Sequence, residues 1–144
     1  MYIQTSRRLV ASHLTNFVHF FQLQDKAFEF GKNIAYAHQL KEDLQTLREQ
    51  KSPVVLYSAP AILSSGHAEV KRLLNQIFEE KDTDKLDQLH QELINCLVNG
   101  ETMAKMKELC LFSVSRALDS LNLFPNSEAK EALMNIANSC TIQE

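Results

Sequence analysis

A chain of 144 residues with 44% hydrophobic and 23% charged residues suits one domain with a buried core. Its net charge of -3 and pI near 6.0 exclude the basic field that nucleic-acid binding uses. No apolar run reaches the roughly 18 residues of a transmembrane helix. Three glycines and three prolines leave little turn chemistry, and the good helix formers Leu, Ala, Lys, Glu and Gln dominate. The expectation is an all-α helical bundle of about six to seven helices, read by their 3.6-residue period, in one domain over residues 1–144.

Residues 1–24 carry Arg7 and Arg8 and no acidic residue before Asp25. That composition suits a mitochondrial transit peptide and equally the basic start of a folded helix. Leu9, Val10, Leu14, Phe17, Val18 and Phe21 continue in helical register, which favours the folded reading. They predict a first helix from Thr5 to Phe21. Asp25 is then placed to cap a second helix. Ala27, Phe30, Ile34, Ala37, Leu40, Leu44 and Leu47 share one face, so this helix is expected to run to about Arg48. Gly31 is a poor helix former, and the expected reason for it is close approach of a neighbouring helix.

Gln50 to Gly66 is the least regular stretch. Ser52-Pro53 and Ser58-Ala59-Pro60 both look like cap-then-proline helix starts. A short buried helix is expected from Pro60, ending near Ser65-Gly66. His67 to Glu80 predicts an amphipathic helix with Val70, Leu73, Leu74, Ile77 and Phe78 inward. Asp82 or Thr83 caps the next helix, which buries Leu86, Leu89, Leu93, Cys96 and Leu97 until Asn99-Gly100 stops it. Thr102 to about Leu123 is a long helix with Met103, Met106, Cys110, Ala117 and Leu121 on one face. Pro125-Asn126-Ser127 forms a turn and cap. The last helix is expected to bury Ala132, Leu133, Ile136 and Cys140. Cys96, Cys110 and Cys140 are too scattered for a disulfide framework or zinc site and read as reduced core residues.

The stretch from Ala27 to Leu44 resembles the helix that bears the second aspartate-rich motif of the trans-polyprenyl diphosphate synthases. In active members that helix opens on Phe-Gly and closes on Phe-Gln-x-x-Asp-Asp-x-x-Asp. Here Phe30-Gly31 and Gln39 match, Glu42 and Asp43 hold the first two aspartate positions, and Thr46 holds the third. The C-terminal stretch Ala117-Leu118 through Pro125-Asn126-Ser127-Glu128-Ala129 to Ala132-Leu133 resembles a late helix pair of the same family. Ser58-Ala59-Pro60 resembles its second-subunit branch. The resemblance covers about Ala27 to the end, while Thr5-Ser6-Arg7-Arg8 does not supply the family's Lys-Thr pair.

The resemblance implies the C-terminal portion of the isoprenoid synthase fold, with the first aspartate-rich motif outside this sequence. Active members hold magnesium between two such motifs, because diphosphate is highly anionic and magnesium takes oxygen ligands. Glu42 and Asp43 form a degenerate second motif, so the implied role is a non-catalytic, regulatory subunit. The implied catalytic residues and metal ligands in this chain are none, and the magnesium belongs to the parent complex. The implied partner is a catalytic polyprenyl diphosphate synthase subunit, and the implied setting is ubiquinone side-chain biosynthesis in the mitochondrion. A helical interaction module and a homomeric prenyltransferase remain the competing readings; Thr46 argues against the latter.

Other candidates are weaker. His38 and Glu42 are one helical turn apart but lack a third ligand. His90 sits between apolar positions, and His13 and His19 do not share a face. Ser64-Ser65-Gly66-His67 lacks a nucleophile-elbow context. Phe17, Phe20, Phe21, Phe28 and Phe30 form an aromatic-rich region suited to a core or a subunit interface.

Overall fold

Helix formers with no proline between Tyr2 and Glu49 carry one uninterrupted helix, α1 (Tyr2–Glu49), through Gly31. The computed structural model describes residues 2–49 and 58–142, with side chains from Val18 onward. After α1 come α2 (Ala59–Ser64), α3 (Ala68–Glu79), α4 (Thr83–Asn99), α5 (Thr102–Ser120) and α6 (Glu128–Ser139), with a 3-10 turn at Leu121–Leu123. Among the described residues the fold is an all-α bundle without strands. None of these helices is long and apolar enough to cross a membrane.

The expected break before Asp25 is absent. Asp25 lies inside α1, because a polar residue without a nearby glycine or proline does not end a helix. Gly31 also departs from expectation. It is exposed, and a Cβ built there would meet nothing within 4 Å, so no neighbouring helix approaches it. The Ser52-Pro53 start lies outside the described residues.

α5 runs back along α1, placing Cys110 against Ala37. The core has two parts. In the first, Leu47 and Ala61 meet Val70, Leu73 and Ile77 of α3 and Leu93, Ile94 and Leu97 of α4. In the second, Ala37 meets Cys110 and Val114 of α5 and Ala137 and Cys140 near the end of α6, with Phe30, Ile34 and Leu40 packed against them. Small residues at Ala37, Cys110 and Ala137 let three chain segments come close. The Cys110 thiol donates to the Cys140 carbonyl at 3.3 Å. Burial pushes this thiol up from its ordinary value, and Cys140 nearby adds to the shift. All three cysteines are free.

Caps match the chemistry of the termini. Asp82 accepts from the Asp84 amide to open α4, and Ser127 accepts from the Lys130 amide to open α6. α4 ends at Gly100, where an added Cβ would lie 3.0 Å from the Cys96 carbonyl oxygen. Four expected core positions face solvent instead. Phe78 of α3 is exposed, as are Leu133 and Ile136 of α6. Ala132 is exposed too, and α6 is buried through Ala137, with Cys140 just beyond it.

Candidate functional site

The motif residues of α1 lie where α1 passes the start of α2. Asp43 is partly buried and fully engaged. Its Oδ2 accepts from the Ala59 amide at 2.8 Å, and its Oδ1 accepts from the Gln39 side chain at 2.7 Å. Ala59 is the first residue of α2, whose unpaired amides favour an anion. The Ser58 side chain makes no capping hydrogen bond, so Asp43 from α1 supplies the cap. Glu42, Thr46 and His38 are exposed. Lys41 does not neutralise Glu42; its ammonium donates to the Ser139 carbonyl at 2.7 Å, at the end of α6.

This donor set does not fit a magnesium ion. One carboxylate is committed to an amide and an amide side chain, and its neighbour stands alone on the surface. Among the described residues no group of three His, Cys, Asp or Glu side chains converges. His90 donates its Nδ1 proton to the Leu86 carbonyl of its own helix at 2.8 Å. Ser64 is buried and hydrogen-bonded to the Thr102 hydroxyl, which ties α2 to α5. His19 is exposed, and the side chains of His13 and of Thr5 to Arg8 lie outside the described residues.

Beside the motif runs a groove of about 550 Å³ between α1 and α5. Lys32, Asn33, Tyr36, Gln39 and Leu40 form one wall, and Leu109, Phe112 and Arg116 form the other, with Ala59 at one end. Tyr36 and Phe112 are 56% and 62% exposed, so both rings stand open on the rim. Asn33, buried on the core side, donates to the Glu29 carbonyl at 2.8 Å. The Lys26 ammonium, 2.6 Å from Glu29, holds that carboxyl below its usual range by hydrogen bond and charge, with smaller help from Arg116 and Lys32. The groove offers apolar contact flanked by Lys32, Arg116 and the Glu29 carboxylate, and no nucleophile–base pair. Sequence reasoning did not single out Tyr36, Phe112 or Arg116. The available signal was an aromatic at position 112, off the face that carries Met106 and Cys110.

Comparison with known proteins gives one consistent result. The chain is 31% identical over 123 residues to the all trans-polyprenyl-diphosphate synthase PDSS2 of Rattus norvegicus, covering 83% of this chain and 30% of that protein. It is 30% identical over 124 residues to the Homo sapiens protein of the same name, covering 83% of this chain and 31% of that protein. The Mus musculus protein gives 31% identity over 123 residues. The chain thus spans about 30% of the length of the curated relatives it matches. No family model and no solved structure matches it.

Proposed function

From the premise that this chain is a relative of the trans-polyprenyl diphosphate synthases, we propose that it serves as a non-catalytic subunit of a heteromeric synthase. The observation that carries this reading is Asp43. The carboxylate at a metal-ligand position of the family motif caps α2 instead, and its neighbours Glu42 and Thr46 do not converge with it. On this reading the chain binds no magnesium by itself, and the ions of the parent complex sit on the catalytic subunit. The partner is that catalytic subunit, docked on the open α1–α5 groove, where Tyr36 and Phe112 present apolar area. By resemblance the product feeds the ubiquinone side chain in the mitochondrion.

Two measurements test the proposal. The purified chain, given magnesium, isopentenyl diphosphate and farnesyl diphosphate, is expected to make no polyprenyl product; robust product would sink the non-catalytic reading. Co-expressed with a catalytic subunit, it is expected to co-purify, and Glu42→Ala is expected to leave the activity of the complex within about twofold. A working metal ligand contributes several kcal/mol, on the order of a thousandfold in rate, so a collapse of that size would return Glu42 to the metal. Failure to retain any catalytic subunit would favour a free-standing helical interaction module.

A further inference from the structure

We infer that Asn99 is a site of spontaneous covalent modification, where attack by the Gly100 amide converts the asparagine to aspartate and isoaspartate at the junction of α4 and α5. Asn99-Gly100 closes α4, and Asn99 is the one asparagine of this sequence that precedes a glycine. The reaction needs only these two residues and water. The Gly100 nitrogen attacks Cγ of Asn99 and a C–N bond forms. The nitrogen loses its proton, and the side-chain amide leaves as ammonia. The product is a cyclic imide. Water then adds to either carbonyl of the ring and opens it. One opening gives aspartate; the other gives isoaspartate, whose main chain runs through the side-chain carbon. The net change is a redox-neutral exchange of ammonia for water.

The structure leaves this pair open to the reaction. Both residues are exposed. Gly100 carries no side chain to shield its amide. A Cβ there would lie 3.0 Å from the Cys96 carbonyl oxygen, so packing at the end of α4 holds the position to glycine. The amide is also unheld. The cap residues that close α2, α3, α5 and α6 each donate their backbone N–H to a helix carbonyl. Gly100 makes no such bond among the described residues. A bonded amide must break its bond before it attacks, and this one has none to break. Asn138-Ser139 is the contrast: it lies inside α6, where the Ser139 amide belongs to the helical ladder. The last turn of a helix frays most readily, so Asn99 reaches the geometry of attack without opening the core. The surroundings give the product a consequence. Leu97, just before, is fully buried, and Thr102, just after, is buried and bonded to Ser64 of α2. A carboxylate at position 99 stands at the negative end of the α4 dipole, with Glu101 beside it in sequence. Isoaspartate also lengthens the main chain by a carbon between two anchored residues. Both products loosen the α4–α5 junction.

The test ages the full chain in warm, mildly alkaline buffer. Isoaspartate is counted by methyl transfer from S-adenosylmethionine with a protein isoaspartyl methyltransferase, and its position is read by peptide mass spectrometry. Methyl acceptance is expected to rise with age, to map to the peptide that holds Asn99, and to vanish in Asn99→Gln, whose longer side chain closes a ring far more slowly. The rate in the native chain is expected to fall within about tenfold of the rate in the urea-unfolded chain, one decade of barrier. The aged wild-type chain is expected to melt at a lower temperature than the fresh one, and aged Asn99→Gln is expected to melt like the fresh wild type. Asn99→Asp, which adds the charge without the extra carbon, is expected to give part of the drop. A native chain that stays unmodified while the unfolded chain reacts overturns the inference, because α4 would then shield the amide. Methyl acceptance that survives in Asn99→Gln overturns it as well, by placing the reaction elsewhere. An unchanged melt of the modified chain overturns the loosening of the junction.

Discussion

Asp43 uses both carboxylate oxygens within its own fold, one on the Ala59 amide and one on Gln39. Removing it therefore tests stability before it tests catalysis. Asp43→Ala is expected to destabilise the chain by about 1 kcal/mol, the worth of a helix cap, read as a lower urea midpoint. Glu42→Ala, exposed on the same turn, is expected to stay within about 0.5 kcal/mol. The sequence reading placed the cap of this helix on Ser58, but the Ser58 side chain makes no capping bond and Asp43 accepts from the Ala59 amide instead. The cap comes from another helix, and no local spacing encodes that contact. Cys110 gives a second test at this scale. Burial raises its thiol pKa, so above the ordinary thiol range the unfolded chain releases a proton that the folded chain keeps. Stability is then lost as pH rises through that range, and Cys110→Ser is expected to flatten that loss. The native thiol is also expected to react slowly with alkylating reagents until the chain is denatured.

At the scale of the element, α1 is the case where pattern and structure diverge. Its core stripe was legible: Ala37, Leu44 and Leu47 are buried, with Phe30, Ile34 and Leu40 packed against the core. Ile34→Asp is therefore expected to cost about 2 kcal/mol or more, by setting a charge against apolar neighbours. Lys32→Asp, on the exposed side, is expected to fall within about 0.5 kcal/mol. Gly31→Ala is expected to stabilise the helix by about 0.5–1 kcal/mol, because the added Cβ touches nothing and the chain loses less entropy on folding. Thermal melts of the three variants rank these effects. The continuity of α1 was not legible, because Asp25 has the composition of a cap without the breaker that makes one. The exposure of Phe78, Leu133 and Ile136 was hidden for a different reason. Periodicity reveals that a helix has an apolar face; it does not reveal whether another element covers it.

At the scale of the whole molecule, α1 runs through two apolar cores, which the start of α5 also joins through Met103 and the Ser64–Thr102 hydrogen bond. Leu47 anchors the one built on α3 and α4, and Ala37 anchors the one built on α5 and α6. Apolar contact is what makes opening costly, so each core sets its own opening free energy. Native-state hydrogen exchange is therefore expected to divide the backbone amides into two protection classes. One class holds α3 and α4, and the other holds α5 with the Phe30–Leu40 stretch of α1. A Leu73→Ala substitution empties space in the first core, where Leu73 is fully buried. It is expected to lower protection there by about 2–5 kcal/mol and to leave α5 nearly untouched. The chain would then loosen in two steps coupled only through the start of α5, and a partner that clamps one end would leave most of the other free to breathe.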